Sequence, residues 1–207
     1  MARIVYKNQD KKRVPSVTTI LSVMAKPALK FWANNLGLEG INVRDYVDNL
    51  ADIGTLAHTM CEEYLTSEEH DKSKYTPDQI ETAKTCLSKF YDWVKENNPQ
   101  DSECEIQLVS EKYQYGGTCD LYCTLNGKKV LVDFKTCKAI YGEMHTQVFA
   151  YKKLLEESGR QVDECRILRI GRNADEGFEE VVLDKGEEHF ERFQACLALY
   201  NLNKKLK

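Results

Sequence analysis

Apolar residues recur at helical spacing through the first half of the chain. Pro15-Ser16-Val17-Thr18-Thr19 has the form of a helix start, a hydroxyl cap before the apolar run of Ile20, Leu21 and Met24. The pattern breaks near Pro27 and the glycines at 37 and 40, and it runs on through Phe31, Trp32, Leu36, Val43, Tyr46, Val47 and Leu50. Gly54 is expected to punctuate it before a further helix carrying Leu56, Met60 and Tyr64. Thr76-Pro77-Asp78 opens a long helix with Ile80, Ala83, Leu87, Phe90, Tyr91 and Val94 on one stripe, stopped by Asn97-Asn98-Pro99.

From Glu103 the period falls to two. Cys104, Ile106 and Leu108 alternate with Glu103, Glu105 and Gln107, which predicts a half-buried strand. Two more strands follow, joined by Asn126-Gly127. Residues 141–157 read as a helix, Arg166–Ile170 and Phe178–Leu183 as strands, and Glu187–Leu202 as a closing helix. Helices, three strands, a helix, two short strands and a helix predict an α/β fold with a mixed sheet flanked by helices. The expected organisation is a single domain over 1–207, with a helical elaboration over 1–100 and the sheet core with its helices over 101–207.

Asn-Gly between two alternating runs specifies a two-residue type I′ hairpin, because both turn positions need positive φ. That turn sets Leu125 opposite Lys128, Cys123 opposite Val130, Leu121 opposite Val132, and Asp120 opposite Asp133. Leu121, Cys123 and Leu125 then share a largely apolar face with Val132 and Val130. The other face is expected to be polar, with Asp120, Tyr122 and Thr124 beside Lys129, Leu131, Asp133 and Lys135. Directly opposed side chains have Cβ atoms ~4.5–5.5 Å apart, where like charges repel. Two readings remain open here. Either the pair is an accident of a solvated strand end with a flanking lysine, or a hard divalent cation, Mg²⁺ or Mn²⁺, offsets the repulsion with Lys135 beside it.

Composition narrows the class. The chain is 42% hydrophobic with 4 prolines and 11 glycines, which excludes disordered and collagen-like chains. No apolar run approaches the ~18 residues of a membrane span, and the amino-terminal Met-Ala-Arg-Ile-Val-Tyr-Lys lacks a signal-peptide core, so a cytoplasmic location is expected. Eight scattered cysteines include no Cys-x-x-Cys pair, so they read as small core residues and no iron–sulfur cluster is expected. Net charge is −4, but residues 1–30 hold Arg3, Lys7, Lys11, Lys12, Arg13, Lys26 and Lys30 against Asp10 alone. This arm is either a polyanion-binding edge or a solvated terminus.

His58 lies on a helix with Glu62 one turn further on, and Gln147 and Tyr151 are likewise one turn apart on the helix after Lys135. In order, Gly54-x-x-x-His58, Gly117-x-x-Asp120, Asp133-x-Lys135 and Gln147-x-x-x-Tyr151 resemble the motif series of the PD-(D/E)XK nuclease superfamily. The resemblance is to its exonuclease branch, which includes phage recombination exonucleases, nuclease domains of bacterial recombination helicase-nucleases and the mitochondrial genome maintenance exonuclease. Pro15–Thr19 with Lys26-Pro27-Ala28-Leu29 is similar to the helical entry of phage members.

The resemblance implies a restriction-endonuclease-like core of helix, three strands, helix and strand. It implies catalytic roles for Asp120, Asp133, Lys135, Gln147 and Tyr151, with Asp120 and Asp133 holding Mg²⁺ or Mn²⁺ and His58 adding a ligand. Lys135 would activate or orient the attacking water, and Gln147 and Tyr151 would position DNA or the active-site groups. Lys26 and Lys30 are further candidate DNA contacts. Glu62 and Glu105 are additional acids with no secure motif position. The implied activity is a metal-dependent DNA exonuclease of phage-type recombination or DNA processing, working in a host-cell cytoplasm if phage-encoded, with a single-strand annealing protein as a candidate partner. The alternatives are an endonuclease or nickase, and a non-catalytic DNA-binding module on the same fold.

Overall fold

A computed structural model describes residues 4–206; Arg3 of the basic arm lies outside the described residues. The elements are α1 (Val17–Leu21), α2 (Pro27–Leu38), α3 (Val43–Thr66), α4 (Pro77–Asn97), β1 (Gln100–Ser110), β2 (Tyr115–Leu125), β3 (Lys128–Lys135), α5 (Gly142–Glu157), β4 (Glu164–Ile170), β5 (Phe178–Val182) and α6 (Gly186–Lys205). Their strands form one mixed sheet in the order β1-β2-β3-β4-β5, antiparallel except where β3 and β4 run parallel across the α5 crossover. The chain thus has the restriction-endonuclease-like arrangement of a mixed sheet between helical layers. Among the described residues no helix is long and apolar enough to cross a membrane.

Local chemistry accounts for the boundaries. Ser16 caps α1 through its side chain. Thr76 and Gln79 form a reciprocal capping box ahead of α4, and Asn98 in the left-handed region ends that helix just before Pro99. Asn126 and Gly127 both have positive φ, 50° and 79°, and the register runs from Leu125↔Lys128 to Leu121↔Val132 as the turn dictates.

Two expectations are corrected. Gly54 does not divide two helices, because α3 is continuous from Val43 to Thr66. A Cβ on Gly54 would stand 2.8 Å from Thr136 Oγ1, so this glycine lets the helix approach the end of β3. Nor is the second face of the hairpin polar. Tyr122 and Leu131 are buried with Val148, Phe149, Leu154 and Leu155 of α5 and Phe193 of α6, while Leu121, Cys123, Leu125, Val130 and Val132 pack on the other side with Leu56, Met60, Phe90 and Trp93 of α3 and α4. Helices cover both faces. The Tyr122 hydroxyl meets its requirement by donating to the Gln161 carbonyl at 2.7 Å. The shorter expected strands also extend, β1 starting at Gln100 and β4 at Glu164.

The β2–β3 ladder ends at Leu121↔Val132, although β2 stays paired with β1 to Tyr115 and β3 with β4 to Lys135. The two strands therefore part, leaving a wedge at the end of the sheet. On the β2 side, Pro15 accepts a bond from the Gly116 amide and Ser16 bridges Gly116, so the amino-terminal segment takes up the edge that β3 leaves. Tyr6 packs over Gly116, where a Cβ would come within 2.4 Å of its ring, and its hydroxyl bonds Thr118 at 2.8 Å.

The turn gives a direct test. Nothing stands near a Cβ at Gly127, whose φ is +79°, so Gly127→Ala changes backbone strain alone. It is expected to lower unfolding stability by about 1–2 kcal/mol, read as a lower urea midpoint with unchanged slope.

Candidate active site

Asp120 sits where β2 leaves β3. Its Oδ2 accepts the Phe134 amide at 2.7 Å, replacing the ladder bond that the parting strands no longer make. Strand β2 also turns about its axis at this point: Cys119 belongs to the α5–α6 side and Leu121 to the α3–α4 side, although strict alternation would keep them together. Glu105 on β1 has φ +49° and lies between Cys104↔Leu121 and Ile106↔Cys119, level with Asp120.

His58 comes from α3, with Nδ1 3.6 Å from Asp120 Oδ1. One ligand atom each from His58, Glu105 and Asp120 lies within 4.8 Å of the others. Asp133 is 1% exposed on β3, and Lys135 Nζ stands 2.5 Å from its Oδ2. Neither Asp133 oxygen has a hydrogen-bond donor in regular geometry. The structure therefore brings His58, Asp120, Asp133 and Lys135 to one place and adds Glu105. Glu62, one turn along α3 from His58, faces His70 at 4.0 Å and stands outside the metal-sized group.

The electrostatics record crowding. Burial pushes the Asp133 carboxyl up to about 6, with Lys135 opposing and Asp120 adding to the rise. Burial likewise lifts Glu105 to about 7, helped by the charge of Asp120. Asp120 itself moves down: burial works against its charge, but His58, Lys135 and the Phe134 amide together outweigh it. His58 and Lys135 are both raised, since the neighbouring carboxylates overcome the effect of burial on each cation. One acid is held ionised while two beside it are driven toward protonation, the signature of a site short of positive charge.

Gln147 and Tyr151 meet on α5, the Gln147 amide donating to the Tyr151 hydroxyl at 2.8 Å. The Tyr151 ring lies on Gly117, where a Cβ would come within 2.6 Å of Cε1. The glycine three residues before Asp120 thus admits the tyrosine to the wedge, and the charges of Asp133 and Asp120, after burial, push its phenol well above the usual range. Lys26 is paired with Glu143 in the first turn of α5 at 2.8 Å, and Lys12 with Asp10 at 3.4 Å. Lys30 is exposed and is in no salt bridge among the described residues. Six of the eight cysteines are buried and all are free.

No family model and no curated protein matches the chain. Among solved structures it is similar to a proposed exonuclease from Eubacterium rectale, at 9% identity and a TM-score of 0.48, with 76% of this chain and 65% of that one covered. The chain thus spans just under two thirds of that relative's length. It is also similar to an alkaline exonuclease from Laribacter hongkongensis, at 9% identity and a TM-score of 0.42 over 92% of this chain and 87% of that one.

The crowded acids fix a pH dependence. A carboxyl whose folded pKa is raised binds its proton more tightly in the native state, so stability is lost as pH rises from the unfolded value through the folded one. For Asp133 that window runs from 3.8 to about 6, and for Glu105 from 4.5 to about 7. His58, also raised, acts in the same direction at higher pH, whereas Asp120, lowered, acts oppositely only in more acid solution. Metal-free Asp133→Asn should match wild-type Tm near about pH 4.5 and exceed it near about pH 8. Equal Tm at both would show that Asp133 carries no burden of buried charge.

Proposed function

We propose that this chain is a metal-dependent nuclease that hydrolyses DNA from its ends. The observation that carries the reading is Asp133: a carboxylate 1% exposed, with both oxygens lacking regular donors, next to a cluster of His58, Glu105 and Asp120 of cation-binding size. Carboxylate oxygens with one imidazole suit Mg²⁺ or Mn²⁺, the imidazole favouring Mn²⁺. His58, Asp120, Asp133 and Glu105 are the residues that would hold it. A divalent cation there would polarise the phosphate and supply a nucleophile near neutral pH.

The chain's own groups divide the remaining work. Lys135, with its pKa raised, stays an ammonium at neutral pH, so it orients the attacking water and meets developing negative charge instead of accepting a proton. Asp133 fixes that ammonium at 2.5 Å. Gln147 and Tyr151 act as a bonded pair; the phenol is kept protonated and can donate to a phosphate oxygen or hold the amide toward the strand. A binding module has no use for carboxylates buried against one another, which disfavours the non-catalytic alternative.

Action from ends rests on the helical half. Helices α2 and α3 stand over the end of the sheet where the site lies, and a covered site admits a strand end more readily than an unbroken duplex. We infer that residues 1–207 work as one unit, since the apolar faces of α3 and α4 complete the sheet's core. The setting that goes with this reading is phage-type recombination or DNA processing in a cytoplasm, alongside a single-strand annealing protein.

Digestion in Mg²⁺ or Mn²⁺ tests it. Linear DNA should shorten progressively while covalently closed circles survive, and Asp120→Ala, Asp133→Ala and Lys135→Ala should each reduce the rate at least ~100-fold without loss of fold. Closed circles cut as fast as linear molecules would favour the endonuclease reading; full activity in Asp120→Ala would remove the metal centre.

A further inference from the structure

Helix α2 is apolar and uncovered. None of its residues is buried; Phe31 is 73% and Leu38 81% exposed, and Trp32, 38% exposed, touches Tyr46 of α3 with ring centroids 6.0 Å apart. A helix this short is marginal in water without tertiary packing, so a bare one implies a partner. Its position is informative. The chain leaves the core at Lys26, paired with Glu143 one turn before Gln147, and returns along α3 past Tyr46, near Arg172, to Gly54 and His58. Helix α2 therefore spans the mouth of the candidate site, anchored on both sides of it.

Its chemistry selects among occupants. Lys30 is the only charged residue from Pro27 to Leu38, Lys26 immediately precedes the helix, and Phe31 and Trp32 follow Lys30 directly. Exposed rings beside uncompensated lysine, continuous with a phosphate-processing site, suit a strand whose bases are free to stack and whose backbone is anionic. Paired bases offer no such faces except at a terminus. A second copy of the chain would need an apolar patch of roughly 800 Å² on each side and gains nothing from Lys30.

We propose that α2 is a stacking platform for single-stranded DNA, with Phe31 and Trp32 receiving bases of the strand that leads to the site. This rests on the nuclease reading and specifies the form of its substrate.

The molecule supplies its own reporter. It has two tryptophans, and Trp93 is 2% exposed and bonded to Glu180, so quenching by added DNA reports Trp32. The full chain in EDTA is titrated with a dodecameric oligothymidylate, an abasic strand of equal length and a closed hairpin duplex, with anisotropy reporting binding and fluorescence reporting stacking. Oligothymidylate is expected to quench saturably and bind at least ~10-fold tighter than the other two. Trp32→Phe should abolish the quench, and Phe31→Ala should weaken oligothymidylate alone by roughly 10-fold. Circular dichroism verifies that these exposed substitutions leave the fold intact. Strand binding without quenching, equal binding of the abasic strand or the duplex, or a doubled mass that Phe31→Glu abolishes would each overturn the proposal, the last assigning the face to a second copy. Adding Mg²⁺ separates the two readings: cleavage without quenching removes only the platform, whereas quenching without cleavage removes the nuclease and leaves the strand-binding surface.

Discussion

Asp120, Asp133 and Glu105 share a region from which water is largely excluded, and carboxylates so placed cannot all ionise unless positive charge joins them. His58 and Lys135 supply part of that charge, which is why both are drawn toward their cationic forms. The remaining deficit is visible as the upward displacement of Asp133 and Glu105. Proteins remove such conflicts when nothing uses them, because apolar replacements of similar shape are as stable or more so.

Much of the architecture keeps the conflict in place. The wedge exists because β2 and β3 separate after Leu121↔Val132, and it stays open because Pro15 and Ser16 occupy the vacated edge of β2. Glycine at 54 lets α3 bring His58 against the end of β3, and glycine at 117 lets Tyr151 reach the acids from the opposite side. Each glycine is a place where a methyl group would push a functional side chain away. The motif spacings are thus spacings between a close approach and the group it admits.

The hairpin and its carboxylates were legible in the sequence because a two-residue turn leaves no freedom of register, and Asp120 and Asp133 stand at the end of the ladder that Asn126-Gly127 begins. Glu105 was not, since residues 111–114 joining β1 to β2 carry no such turn signature and its own φ of +49° departs from strand geometry. Gly54 misled because a glycine that permits close packing looks in sequence like one that ends a helix. Tyr122 and Thr124 suggested a wet face, yet the Tyr122 ring is buried with only its hydroxyl bonded at the rim. Burial of the second face depends on where α5 and α6 return, a long-range fact that alternation along one strand does not contain.

The account turns on a site built to be completed by a divalent cation. The most direct measurement is calorimetric titration of Mn²⁺ into the metal-free protein near neutral pH, beside Asp120→Asn. Saturable binding to the wild type, lost in the variant, is the predicted result. No binding to the wild type, or undiminished binding to Asp120→Asn, would contradict it.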